Sequence, residues 1–208
     1  MFENLIKYVT HTSTALPPMN ALAYEYITAS NGIFLRAENR FVSALIPIVS
    51  AKAGTVRGLH PLEASIKLKM PLMPISLLIP MLADAKRMRV KSGHLNEVLY
   101  RFHYDGQKMR VNRPEQDTSI TSVRTTGDGG SDVILELHSH GNMSAFWSST
   151  DNRDEQGFRF YGVIGHLDSN MPQIRLRLGV YGYHYPITQD LLFSDTQLSP
   201  FTDLEEQL

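Results

Sequence analysis

The sequence predicts an α/β fold, with a mixed sheet flanked by helices and a small β-rich domain in front of it. Residues 1–70 show strand and hairpin patterns, whereas from residue 74 onward helical periodicity alternates with strand-like apolar runs. We therefore predict three segments: a β-rich N-terminal domain at 1–70, a larger α/β domain at 71–190, and a C-terminal tail at 191–208.

Two strands of the N-terminal domain are predicted at residues 24–28 and 33–37. They flank Asn31-Gly32, a pair that tolerates positive φ in a tight hairpin turn. Residues 41–49 are a third candidate strand, and Pro47 places it at a sheet edge or a strand end. No cluster of catalytic residue types occurs here, so we expect the chemistry to lie further along the chain.

A helix is predicted over residues 74–91, because the prolines lie in its first turns and an apolar stripe follows at helical spacing. The stripe consists of Leu78, Met81, Leu82, Ala85 and Met88. Residues 86–91 are basic. Nucleic-acid binding is one interpretation, but cations that complement a helix C-terminus are the favoured one, since the rest of the chain is neutral.

Strands dominate the rest of the prediction. Residues 97–102 are predicted as a strand that opens with Glu97, and Asp105-Gly106 as the turn of a hairpin. Residues 112–132 are polar and contain three glycines, which predicts a long loop with a short strand at 120–123. The remaining elements are a buried strand that runs into His138, a short helix that ends near Gly157, and strands at 158–165 and 173–181. In the last strand arginine alternates with Ile and Leu, which predicts a half-exposed strand.

The composition excludes several classes of protein. A hydrophobic fraction of 42% and a charged fraction of 20% are typical of a soluble globular chain. The net charge of −1 gives no reason to expect a nucleic-acid partner, and the lack of cysteine excludes disulfides, zinc fingers and cysteine nucleophiles. We find neither a signal peptide nor an apolar run that could span a bilayer, and therefore expect a cytoplasmic protein with no membrane partner.

One motif carries chemistry: His138, one residue, His140, seven residues, Ser148, two residues, Asp151. Random placement would give this pattern in roughly one of a thousand such chains. Residues two apart in a strand share a face, so the two histidines can bind one metal ion, with Asp151 as a third ligand. Three N and O ligands with one position left open are typical of a catalytic zinc site.

A structural explanation of the same residues also exists. Ser148 is a suitable N-cap, and Asp151 favours the positive end of a helix dipole. We expect this to hold together with metal binding, because a helix that begins at Ser148 would fix the position of Asp151.

These residues resemble the motif of the JAMM (JAB/MPN) zinc metalloproteases, which cleave peptide or isopeptide bonds next to ubiquitin-like proteins. The resemblance implies an MPN/JAB (cytidine deaminase-like) fold and one zinc ion per chain, bound by His138, His140 and Asp151. It also implies an upstream catalytic glutamate after a helix, which Glu97 matches in order and context, and Ser148 as the oxyanion donor. Gly141 departs from the family, where many members have proline.

Glu136 is the alternative to Glu97 as general base, because it lies on the same strand face as His138. Glu136 precedes the candidate ligand His138 on the same strand. Its carboxylate could instead bond to the ring of a ligand histidine from outside the metal site. Of the other six histidines, His103 shares the face of Glu97 if both lie on one strand. The remaining five are His11, His60, His94, His166 and His184, none of which has a partner at ligand spacing.

Two functions from different classes follow. The first is a zinc-dependent peptidase or isopeptidase that cleaves next to the C-terminal glycines of a ubiquitin-like protein. The second is a non-catalytic MPN-type scaffold, which would not need the complete ligand set. The β-rich extension before the catalytic domain is also similar to that of the A protein of the PRTRC cassette, a bacterial set named for its ParB-related and ThiF-related members. That narrower resemblance implies a ubiquitin-like partner and a ThiF-like adenylating enzyme.

Overall fold

Strands are the main regular secondary structure in the computed structural model, which describes residues 4–88, 93–125, 127 and 129–204. The chain divides into two units, Met1–Pro71 and Leu72–Leu208. The motif residues all belong to the second unit. In the described residues, no helix is both long and apolar enough to cross a membrane.

The first unit contains one five-stranded sheet in the order β1-β2-β3-β4-β5. Its strands are β1 (Ile6–Thr10), β2 (Tyr24–Ala29), β3 (Gly32–Glu38), β4 (Val42–Ser50) and β5 (Ser65–Leu68). β1 and β2 are parallel, and the other neighbours are antiparallel. Ile27, Ala29 and Phe34 form a buried core on one side. The predicted hairpin is confirmed by the pairing of β2 with β3, but its turn residues are Ser30 and Asn31, and Gly32 is the first residue of β3.

Pro47 lies inside β4, which is an inner strand of this sheet. β5 pairs only with Val42 to Leu45 of β4. At Pro47 the outer side of β4 therefore has no neighbouring strand, and the backbone N–H that proline lacks is not needed there. The register with β3 also shifts beside Pro47, between Ile33 and Phe34. The proline is thus accommodated at a local edge, as its chemistry predicts.

The second unit is built on a seven-stranded mixed sheet, in the order β14-β13-β12-β11-β7-β8 with β16 beside β13. These strands are β7 (Leu99–Tyr104), β8 (Met109–Asn112), β11 (Val133–Ser139), β12 (Arg159–Gly165), β13 (Gln173–Val180), β14 (Tyr183–Ile187) and β16 (Thr202–Asp203). Two short pairs complete the strands: β6 (Met73–Pro74) with β15 (Phe193–Ser194), and β9 (Gln116–Thr118) with β10 (Val123–Thr125). The helices are α1 (Leu78–Ala85), α2 (Ser149–Asp154) and α3 (Gln189–Leu192).

The predicted helix at 74–91 is too long. The structure has a 3-10 turn at Ile75–Leu77 followed by α1, which ends at Ala85. Pro80 is tolerated because it lies in the first turn of α1. Leu78, Met81 and Ala85 of the predicted stripe are buried. Residues 89–92 lie outside the described part of the chain.

Three further predictions need correction. The strand predicted from Glu97 begins at Leu99, because the Glu97 N–H donates to the Ser119 carbonyl and not to a strand neighbour. The short strand predicted at 120–123 is replaced by β9 and β10, which flank that segment. The helix predicted to end near Gly157 ends at Asp154.

The motif strand β11 lies inside the sheet, antiparallel to β7 and parallel to β12. Leu135 and Leu137 are fully buried on one face, which fixes the register because a one-residue slip would turn these side chains out of the core. The parallel pairing requires a crossover connection, and that connection contains α2. The fold therefore places the carboxyl end of β11 beside the segment that follows it.

Candidate metal centre

His138 and His140 lie at the carboxyl end of β11. Their Nε2 atoms are 3.1 Å apart, and both side chains are buried. The two-residue spacing brings both rings to the same face, as a strand geometry predicts. A pair of imidazole nitrogens at this separation can face one ion.

Asp151 reaches the histidines from the first turn of α2. Its Oδ1 lies 3.4 Å from Nε2 of His138, and its Oδ2 lies 3.8 Å from Nε2 of His140. The three residues offer ligand atoms that all lie within 4.8 Å of one another. The structure thus brings together the three residues predicted as metal ligands.

A capping box fixes Asp151. Ser148 is the N-cap of α2: its Oγ accepts the Asp151 N–H at 3.1 Å, and the Ser148 N–H donates to Asp151 Oδ2 at 2.7 Å. The helix-start explanation of this sequence is therefore confirmed, and it accounts for the position of the carboxylate.

The electrostatics favour neutral imidazoles. Burial lowers the pKa of His138 to about 4, against the opposing negative charge of Asp151. Burial also lowers the pKa of His140. Metal ligands must be deprotonated, and two neutral imidazoles with one carboxylate suit a transition metal such as zinc. The donor set therefore fits a metal ion.

Glu97 faces the same cavity as the three candidate ligands. Its side chain is buried, and this burial, together with the negative charge of Asp151, raises the pKa of Glu97 to about 7. A carboxyl group with a pKa near neutrality can both accept and return a proton at physiological pH. Ser148 lines this cavity as well, and since its Oγ accepts the Asp151 N–H, its own hydroxyl proton is left to donate elsewhere.

The cavity has a volume of about 1060 Å³. Residues 121–125, which include β10, form part of its wall, and so do residues of α2 and residues 155–157. The candidate ligands line the same cavity, so a chain bound in it would lie near them.

Residues 77–178 match the family model described as prokaryotic homologs of the JAB domain. This span includes Glu97, His138, His140, Ser148 and Asp151. Residues 77–178 are a JAB domain. The predicted resemblance to the JAB/MPN family is thereby confirmed, while the narrower resemblance to the PRTRC A protein stays a prediction. No curated protein matches the chain.

Glu136 also lines the cavity of the JAB domain, but its carboxylate is already engaged. Arg101 Nε donates to Glu136 Oε1 at 2.7 Å, and Arg159 Nη1 lies 3.7 Å from the same oxygen. A carboxylate held by two guanidinium groups is a weaker candidate for proton transfer than Glu97. Glu136 instead anchors Arg101, which donates through Nη2 to Thr125 and Gly127 and so holds the β10 wall.

Three other histidines of the second unit have contacts of their own. His103 pairs with Asp132 at 3.1 Å and Asn112 at 2.6 Å, and it does not line the cavity. His166 and His184 lie 3.1 Å from backbone carbonyls. In the described residues, none of these forms a second group that could hold a metal.

Several residues beside the site escaped the sequence prediction. Ser139 bonds to the residue that follows Glu97, and Arg177 on β13 bonds to side chains of α2 and its C-cap. The half-exposed strand predicted at residues 173–181 is wrong at Arg177, which is buried, whereas Arg175 is partly exposed and donates to the Ala145 carbonyl. Arginines that alternate with apolar residues indicate that one face of the strand is polar. The pattern is the same whether that face meets solvent or buried polar partners.

Proposed function

We propose that the JAB domain is a zinc-dependent peptidase or isopeptidase. The observation that carries this proposal is the group of His138, His140 and Asp151 beside the buried carboxyl of Glu97 in one cavity. A purely structural domain has no need for a carboxyl with a raised pKa next to three converging ligand atoms.

His138, His140 and Asp151 would hold the zinc ion. Zinc, when bound, supplies Lewis-acid chemistry that polarises a carbonyl group and makes water more acidic. The chain keeps these ligands in place by two means: the rigid end of β11 for the histidines, and the capping box of α2 for Asp151.

Glu97 is proposed as the general base and then the general acid. In its ionised form the carboxylate accepts a proton from the attacking water, and the carboxyl then gives that proton to the leaving amine. The pKa of about 7 belongs to the metal-free protein, and the positive charge of a bound zinc ion would lower it, which favours the carboxylate form that accepts the proton. The Ser148 hydroxyl, already fixed by the Asp151 N–H, donates a hydrogen bond to the oxygen on which negative charge develops.

The substrate we propose is the flexible C-terminal tail of a ubiquitin-like protein, cleaved after its glycines. Small residues suit a narrow site, and an extended tail can be held by backbone hydrogen bonds with few demands on side chains. β10 supports this, since it lines the cavity and β9 is its one neighbour among the described strands. A ThiF-like adenylating enzyme that acts on the same ubiquitin-like protein belongs to this proposal.

The test uses zinc-loaded protein and a panel of bacterial ubiquitin-like proteins that carry a short C-terminal extension. We expect release of the extension, which mass spectrometry detects. The Glu97→Gln variant should keep zinc, but its turnover should fall by about 10²–10⁴-fold. The matched control is Glu136→Gln, which removes a second carboxyl from the same cavity and should retain far more activity.

Two results would contradict this assignment. Full activity of Glu97→Gln would exclude Glu97 as the base and make Glu136 the candidate. Binding of the tail without cleavage, in zinc-loaded wild-type protein, would favour the alternative function, a non-catalytic MPN-type scaffold in a ubiquitin-like system. Absence of both binding and cleavage across the panel would exclude this class of substrate.

A further inference from the structure

Helix α2 carries Asp151, yet it has little to hold it in place. It is six residues long, and none of these residues is buried. A helix this short is not stable by itself, and without an apolar face it gains no hydrophobic anchor. The capping box joins Asp151 to Ser148 within the helix but does not attach the helix to the sheet.

Arg177 supplies that attachment. Its Nη1 donates to Asn152 Oδ1 at 2.6 Å, and its Nε donates to Glu155 Oε2 at 2.8 Å. Asn152 follows Asp151 directly, and Glu155 is the C-cap, whose N–H donates to the Asp151 carbonyl at 2.9 Å. The guanidinium carbon also lies 3.7 Å from the ring centre of Trp147, which precedes the N-cap.

The arginine is itself well fixed. It lies within β13, which is paired on both sides, with Tyr161 of β12 and Pro186 of β14 as its register partners. Its side chain is about 5% exposed and that of Glu155 about 11%.

We infer that Arg177 is a positioning residue that sets the place of Asp151 by joining α2 to β13, with Trp147, Asn152 and Glu155 as its contacts. This rests on the proposed metal-dependent function. The planar guanidinium matters, because one group makes two hydrogen bonds and stacks on an indole, a combination that a lysine ammonium cannot reproduce.

The test measures zinc affinity by competition with a chromophoric chelator, together with the melting temperature and tryptophan emission of the metal-free protein. Trp147 is the only tryptophan in the chain, so the emission comes from the one indole that Arg177 contacts. Arg177→Met is combined with Glu155→Gln, because removing one partner would leave a buried charge unpaired. We expect about 10–100-fold weaker zinc binding and a change in Trp147 emission.

Two milder variants keep the test decisive if the double variant does not fold. Arg177→Lys retains the charge and should weaken zinc binding by about tenfold, and Asn152→Ala, at an exposed position, should weaken it by about threefold. The control is Arg110→Met. Arg110 lies on the edge strand β8, and its ion pair with Asp132 involves no residue of the site.

The outcomes separate this inference from the proposed function. Wild-type protein that binds no zinc would overturn both. Zinc binding by the folded Arg177 variants within twofold of wild type would overturn only the role of Arg177. An equal loss of affinity in Arg110→Met would also overturn it, since the effect would then reflect general destabilisation.

Discussion

Ser139 is bonded twice to Val98: its Oγ accepts the Val98 N–H at 3.0 Å, and its N–H donates to the Val98 carbonyl at 2.9 Å. Ser139 is fully buried between the two histidines, and Val98 follows Glu97. The residue between the two candidate histidine ligands therefore ties their strand to the segment that carries the proposed base.

Ser139→Ala should lower turnover more than zinc affinity. The change leaves the buried Val98 N–H without its acceptor, which costs about 1–3 kcal/mol and frees the segment that carries Glu97. His138 stays on β11, and His140 keeps the bond from its N–H to the Ile164 carbonyl. Turnover, zinc affinity and urea unfolding are measured side by side, with Ser144→Ala at an exposed loop position as the control. Unchanged turnover in Ser139→Ala would exclude this coupling.

His138→Ala and Asp151→Ala should each abolish zinc retention, because either change leaves two ligands where three converge. Metal content after gel filtration, measured by mass spectrometry, is the readout. His94→Ala removes an exposed histidine and should retain one zinc per chain. Circular dichroism should show both ligand variants folded. Full zinc occupancy in either ligand variant would contradict the proposed site.

The raised pKa of Glu97 predicts how the stability of metal-free protein depends on pH. Because its pKa is about 7 when folded and 4.5 ordinarily, the stability due to the neutral carboxyl is present below pH 4.5 and is lost as the pH rises through 7. Glu97→Gln does not titrate. Its melting temperature relative to wild type should therefore increase by roughly 2–4 °C from pH 5 to pH 8.

The control for this pH series is Glu115→Gln, at an exposed position, for which the difference from wild type should stay constant. Glu155, whose pKa burial raises to about 8, is present in all three proteins and so cancels in the comparison. A constant difference for Glu97→Gln would show that this carboxyl is ionised throughout the range.

Gly141 cannot be replaced by the proline that many family members have. Its φ is +56°, whereas proline fixes φ near −65°, and an added Cβ would lie 2.7 Å from the Leu95 carbonyl oxygen. Gly141→Ala should lower the free energy of unfolding by about 1–3 kcal/mol, with a larger loss for Gly141→Pro. Chemical denaturation measures both.

Gly106→Ala is the matched control for the glycine variants. Its φ is +102°, but no atom lies within 4 Å of an added Cβ, so only the backbone cost applies. Equal destabilisation of Gly106→Ala and Gly141→Ala would mean that the Leu95 contact is unimportant. The positive φ and the close Leu95 contact give Gly141 a defined conformation.

Local patterns were enough to predict the motif strand, the N-cap at Ser148 and the convergence of His138, His140 and Asp151. These features depend on spacings of two and three residues. At such short spacings the backbone geometry of a strand or a helix start determines which way the side chains point. The start of β7 was misplaced because Glu97 bonds to Ser119, a contact across 22 residues that no local pattern encodes.

The role of Arg177 was missed for a similar reason. An arginine that alternates with apolar residues indicates a polar face, but whether that face meets water or a buried partner depends on what packs there. Glu155 lies 22 residues away in sequence. β14 was also missed, although Tyr181 and Gly182, both with positive φ, form the tight turn that leads into it.

The parallel pairing of β11 with β12 has a consequence for the order in which the molecule forms. Asp151 lies in the crossover between these strands, and Arg177 of β13 bonds to the C-cap of its helix, so we expect Asp151 to meet the histidines only after the sheet has formed. Zinc should then act on an already folded chain, slowing unfolding without accelerating refolding. Stopped-flow kinetics with and without the ion would measure this. The ion would then stabilise the completed fold and would take no part in initiating folding.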